Sequence, residues 1–117
     1  MVQPLMTKTE IEEQVKHWQE RLGLGEWSIT IKLVVGNDVS DTAWSTAHIN
    51  NDQQEATFTL AEGRTDGQQV NSIVHEFVHI ILYPMWLLVK DSDQAKEYWR
   101  AEERAVKRLT KALYQGG

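Results

Sequence analysis

His75-Glu76-Phe77-Val78-His79 stands inside a strongly apolar run, Val70 to Leu82. On an α-helix, side chains four residues apart share one face, one above the other. His75 and His79 can then bind a single zinc ion through ring nitrogens at about 2.0–2.1 Å. From the position after the first ligand, Glu76 can reach a water activated by that ion and take its proton as a general base. The plainer reading is two histidines that happen to lie in a core helix. Chance seldom gives this spacing in a chain with four His. Val74, Phe77, Val78 and Ile81 also surround both histidines with apolar side chains, as a buried active-site helix needs.

The segment around the motif reads as one helix. Asp66 is the expected N-cap, with Gln69 three residues on, and the helix is expected from Gly67 to Tyr83. Pro84 is expected to end it, because proline disfavours helical geometry in the residue before it. Met85 to Val89 is short and apolar, a segment for core packing or for the lining of a substrate cleft.

Downstream, Asp93 to about Leu113 is the last helix. Trp99, Val106, Leu109 and Leu113 define an apolar stripe, and position 102 falls in it by spacing. Glu102 is therefore expected on the inward face, where a carboxylate without a partner is costly and metal coordination would satisfy it. Glu103 lies about 100° further round, as 3.6 residues per turn requires. A solvated face like that of Glu97, Arg100, Arg104 and Lys107 is the plainer reading of both. With the histidine pair upstream, one of the two is expected to be the third metal ligand. The helical wheel favours Glu102, with Glu103 supporting the site or pairing with a nearby basic side chain.

Upstream, Thr9 to Leu22 reads as an amphipathic helix. Thr9 and Glu12 fit a capping box, Ile11, Val15, Trp18 and Leu22 form its stripe, and Gly23 and Gly25 stop it. Trp27 to Val35 alternates, with Trp27, Ile29, Ile31, Leu33 and Val35 on one face, which predicts a half-buried strand. A loop follows from Gly36 to Asp41. Thr42 to Ile49 is a weaker strand, and Ala56 to Leu60 is a third, with Phe58 and Leu60 facing in. Asn50, Asn51 and Asp52 turn between them to make a hairpin. His48 is the one other histidine expected near the site, and an exposed strand histidine is its plainer reading. His17, beside Trp18, is expected on the surface.

Composition narrows the functional classes. The length suits a single domain, residues 1–117, and 41% hydrophobic residues with five Trp can build a core. Without cysteine there is neither a disulfide framework nor a thiolate metal site, so ligands come from His, Asp and Glu. Met1 to Lys8 lacks the apolar region of a signal peptide. No uninterrupted apolar run reaches the roughly 18 residues that span a bilayer. A cytosolic location is therefore expected, with no membrane partner. The net charge of −5 argues against nonspecific nucleic-acid binding.

The order of helix, strand, hairpin, H-E-F-V-H helix and a last helix carrying Glu102-Glu103 resembles the minimal zincin fold. It is most similar to the small prokaryotic and phage metallopeptidase-like proteins of the gluzincin type, relatives of the ImmA/IrrE and SprT-like groups. The resemblance covers Trp27 to Leu113. It implies an α+β fold with an N-terminal helix, a small three-stranded sheet, the motif helix and a C-terminal helix. It also implies zinc on His75, His79 and Glu102 or Glu103, with Glu76 as the base and a peptide or protein as substrate. Ala101-Glu102-Glu103-Arg104-Ala105-Val106 replaces the E-x-E-A-N signature of the ImmA type, and no third histidine follows at metzincin spacing. The alternative is a protein-binding module on the same fold, with structural zinc and little or no peptidase activity. Tyr83 and His48 are the candidates for stabilising an oxyanion. Oligomeric state leaves no signature in the sequence.

Overall fold

The computed structural model describes residues 5–35 and 45–115. Within them the chain is α+β, with three helices and a three-stranded mixed sheet. The helices are α1 (Lys8–Arg21), α2 (Asp66–Val89) and α3 (Ala95–Thr110), the last continued by a π-helical turn, Lys111–Gln115. The strands are β1 (Ser28–Val34), β2 (Ser45–Asn50) and β3 (Glu55–Ala61), in the order β1-β3-β2. β3 pairs parallel to β1 and antiparallel to β2, so among the described residues β2 is an edge.

α1 begins two residues earlier than its sequence suggests. Thr7, not Thr9, is the N-cap, and it exchanges hydrogen bonds with Glu10 in a capping box. Thr and Glu three apart occur twice here, and only the first pair opens the buried stripe of Ile11, Val15 and Trp18. Gly23, at φ 73°, closes the helix. Its amide donates to Glu20 and that of Leu24 to Gln19, which occupies two terminal carbonyls.

β1 alternates as expected over Ile29, Ile31 and Leu33, which face the core, and Ser28, Thr30 and Lys32, which face out. Val35, expected on the inward face, lies past the end of the strand and is exposed. Phe58 and Leu60 of β3 are fully buried. The expected hairpin forms between β2 and β3. Gln54 takes a positive φ of 54° at its turn, and the Gln53 amide donates to the Asn50 side chain. The loop expected at 36–41 and the first residues of the second strand, 42–44, lie outside the described residues.

α2 is the axis of the molecule. Val70, Ile73, Val74, Phe77, Val78 and Ile80 are all buried, and Phe77 meets Phe58 edge to face at 4.9 Å between ring centroids. Burying a large apolar side chain contributes about 1.5–3 kcal/mol, so this helix face is the main source of cohesion. Its N-cap is Thr65, in a capping box with Gln68, rather than Asp66 with Gln69. Gln69 is buried instead, and its Nε2 donates to the Ala61 carbonyl at 2.6 Å. That bond pins the helix start to the end of β3.

Pro84 does not end α2, which continues to Val89. Proline costs the helix an N–H bond and a steric clash, about 3 kcal/mol. Packing beyond it opposes that cost: Trp86 stacks on Tyr98 and meets Trp99 edge-on, joining the last turns of α2 to α3. Met85 to Val89 is thus helical; Trp86 lines a cleft, while Met85, Leu87 and Leu88 are exposed. α2 is also long and apolar enough, by length and composition, to cross a membrane. A search for uninterrupted apolar runs misses this because His75, Glu76 and His79 break the run. Gln69 through Ile80 lie mainly within the core of this structure.

α3 is rotated from the expected wheel. Glu102, Val106 and Thr110 are buried, whereas Trp99 and Leu109 are substantially exposed. The buried line runs at spacings of four and four, which moves Trp99 and position 103 to the flank that faces the cleft.

Candidate metal centre

His75, Glu76 and His79 project from the middle of α2, where three turns of buried apolar residues fix the backbone. The imidazoles of His75 and His79 lie one above the other, 4.9 Å between centroids. α3 supplies the opposing groups. Tyr98 and Glu102 are four residues apart on one line of α3, and Trp99 and Glu103 on the next. His79 is inserted between these two lines.

The result encloses one imidazole on three sides. His79 Nδ1 is 2.8 Å from Glu102 Oε2, and Nε2 is 2.9 Å from Glu103 Oε1. The ring stacks on Trp99 at 5.5 Å and 13°. The Tyr98 hydroxyl donates to Glu102 Oε1 at 2.9 Å. Burial first, and then Glu102, pushes the Tyr98 hydroxyl up to about 12, so it stays a donor throughout the working pH range. Glu102 has both oxygens occupied and its side chain is 2% exposed, whereas that of Glu103 is 35% exposed.

Ligand atoms of His75, His79 and Glu103 all lie within 4.8 Å of one another, and the three residues could together hold a metal ion. Two ligands with bonds of about 2.1 Å stand roughly 3.4 Å apart across a tetrahedral angle, so small side-chain shifts complete the set. Two imidazoles and a carboxylate are a donor set suited to a borderline divalent ion. A neutral His79 that donates through Nδ1 to Glu102 keeps the Nε2 lone pair for the ion, the carboxylate–histidine arrangement common around bound metals. Burial, followed by the neighbouring His79, lowers the pKa of His75, against the pull of Glu103. Neutral imidazole is the form that ligates.

Glu103, rather than Glu102, is therefore the carboxylate grouped with His75 and His79 as a set that could hold an ion. The wheel correctly put Glu102 inward, but inwardness selected the carboxylate that the protein consumes. A helix cannot aim adjacent residues at one ion equally; here it aims them at the two nitrogens of one histidine.

Glu76 is buried, 3% exposed, and its Oε2 accepts a hydrogen bond from the Ser45 hydroxyl at 2.5 Å. Burial raises its pKa above the usual carboxylate range, opposed by the Ser45 bond and by His79. Ligands and base line one cleft of about 790 Å³. β2 forms one wall, from Ser45 to Ile49, and Tyr83, Trp86 and Trp99 line the other beside the histidines and glutamates. His48 and Tyr83 both reach this cleft, while His17 is exposed on α1, away from the cleft lining.

The sequence reading does not single out Ser45 or Tyr98 and takes Trp99 only as core. Trp86 lies in the Met85–Val89 segment read as core packing or cleft lining, and it does line the cleft. Tyr98 had a usable signal, a hydroxyl four residues before an inward carboxylate. Compared with protein-family models, curated proteins and solved structures, the chain matches none.

Proposed function

We propose that this chain is a zinc-dependent peptidase of the gluzincin type, on a minimal zincin-like fold. One observation carries the reading: the ligand atoms of His75, His79 and Glu103 converge within 4.8 Å in the cleft that also holds the buried carboxylate of Glu76. Buried titratable groups gathered in a cleft are characteristic of catalytic sites.

Zinc, when bound, supplies a Lewis acid for the scissile carbonyl and lowers the pKa of water toward about 7. His75, His79 and Glu103 would hold it, and Glu102 would fix the orientation of His79. Glu76 accepts the proton of the attacking water and passes it to the leaving amine. Its raised pKa suits that exchange, since a base works best when its pKa approaches the working pH. A cleft of about 790 Å³ has room for several residues of a peptide. The side of β2 that is unpaired among the described residues is a template for an extended chain, added as one more strand. His48 and Tyr83 are within the cleft to serve the carbonyl oxygen. The net charge of −5 supports a peptide or protein substrate over nucleic acid.

Zinc-loaded protein, chelated protein and the Glu76→Gln variant, each incubated with a peptide library, test the proposal. Hydrolysis is expected only with metal, and about 10²–10⁴-fold slower in Glu76→Gln at unchanged zinc content. Absence of hydrolysis by the zinc-loaded protein, or near-normal turnover by Glu76→Gln, contradicts it. Peptide binding without cleavage would instead identify a binding module.

A further inference from the structure

We propose that Ser45 is a positioning residue for the base, so that the edge strand beside the cleft also sets the orientation of Glu76. The inference rests on the peptidase reading above.

β2 faces the core with Ser45, Ala47 and Ile49 and faces outward with Thr46, His48 and Asn50. The inward line is apolar at 47 and 49, and 45 breaks it with a hydroxyl. A polar side chain turned inward requires a partner, and Ser45 finds it in Glu76 Oε2 at 2.5 Å. This falls in the short range of a hydroxyl donating to a charged carboxylate. Among the described residues, no other hydrogen-bond donor to Glu76 is found. Without such a bond the Glu76 carboxylate has more than one staggered rotamer open to it. One firm bond selects among them.

The anchor itself is firm. Ser45 is paired in register with Leu60, which is fully buried in the central strand. The hydroxyl is thus tied to the core, not to a free loop. With Oε2 occupied by Ser45, Oε1 is left as the oxygen that takes the proton. An arriving peptide that pairs with the edge of β2 would press on the strand that carries this bond, linking substrate seating to the aim of the base.

A merely structural hydroxyl would do something else: satisfy a buried carboxylate and stabilise the fold, with no effect on turnover beyond the loss of folded protein. The experiment compares Ser45→Ala and Ser45→Thr with wild type in the zinc-loaded full chain. Ser45→Ala is expected to lower kcat about 10–100-fold, the range of a small misplacement of a catalytic group, with KM and zinc content near wild type. Ser45→Thr, which keeps the hydroxyl on a strand, is expected to restore most of the rate. In a Glu76→Gln background, adding Ser45→Ala is expected to leave peptide affinity by calorimetry and the residual rate unchanged. Crystals of Ser45→Ala are expected to show the Glu76 carboxylate in more than one conformation. Wild-type kcat in Ser45→Ala, equal losses in Ala and Thr, or one undisturbed Glu76 conformer in Ser45→Ala overturns the proposal. A wild-type protein that cleaves no peptide overturns the peptidase reading instead, and the crystallographic comparison still decides whether Ser45 orients Glu76.

Discussion

On the helical wall of the cleft, His79 is held on three sides, by Glu102, Glu103 and the face of Trp99, and Glu102 is held in turn by Tyr98. On the strand wall, among the described residues, one side-chain hydrogen bond, from Ser45 to Glu76, joins β2 to α2. The helical wall is a network in which His79 Nδ1 and both Glu102 oxygens have hydrogen-bond partners and His79 Nε2 stands beside the Glu103 carboxylate. Such a network is expensive to bury and costly to break, and it keeps ligands in place before an ion arrives. Among the described residues the strand wall has an unpaired edge and one polar tie, so it can receive a chain without dismantling a network. Ligands sit where the protein is most cross-linked, and the base sits at the seam between the two walls.

Breaking the helical wall should have the largest effect. His79→Ala removes a ligand and leaves Glu102 buried beside an empty space, with only Tyr98 as partner. Loss of bound zinc and a destabilisation of about 3–5 kcal/mol are expected in urea unfolding of the chelated protein. Ser45→Ala, on the other wall, is expected to cost less, about 1.5–3 kcal/mol in the same measurement, the scale of one hydrogen bond to a charged group. Equal losses would erase the distinction between the walls.

Within the helical wall, the two carboxylates should separate. Glu102→Gln keeps the shape but weakens the hold on His79 Nδ1, and is expected to lower zinc affinity about 10–100-fold. Glu103→Gln removes a ligand and is expected to lower it further. Competition with a chromophoric chelator gives both constants, and the reverse order would exchange the two roles.

The smallest effect tests the seam. Burial raises the Glu76 pKa, so the fold prefers the protonated carboxyl and loses stability as pH rises from about 4.5 through the raised value. Glu76→Gln has no such charge. In chelated protein its melting temperature is expected to exceed wild type by a few degrees at pH 7, on the scale of about 1 kcal/mol, with the gap closing toward pH 4. A gap that stays constant between pH 4 and pH 8 would contradict this.

Much of this arrangement was legible from periodicity. Ile11, Val15 and Trp18, the Ile29, Ile31 and Leu33 of β1, and Val74, Phe77 and Val78 beside the histidines face where their spacing requires, because burial acts on each residue separately. Val35 and Ile81, expected on the same faces, are exposed. What spacing could not reveal depends on two elements meeting. Pro84 is accommodated inside α2 because Trp86 finds Tyr98 and Trp99 on α3. Glu102 lies inward as its position in the stripe implied, yet its partner is a histidine nitrogen whose direction only the packing of α2 on α3 determines. Ser45 gave no signal, since a serine at the start of a strand is ordinary until a buried carboxylate stands opposite it.

The most direct test is a crystal of the protein soaked in zinc, with the ion located by its anomalous scattering. The account predicts one strong peak bonded at about 2.0–2.2 Å to His75, His79 Nε2 and Glu103, with Glu102 still on His79 Nδ1. A peak on Glu102 in place of Glu103, or no peak between the two histidines, would contradict it.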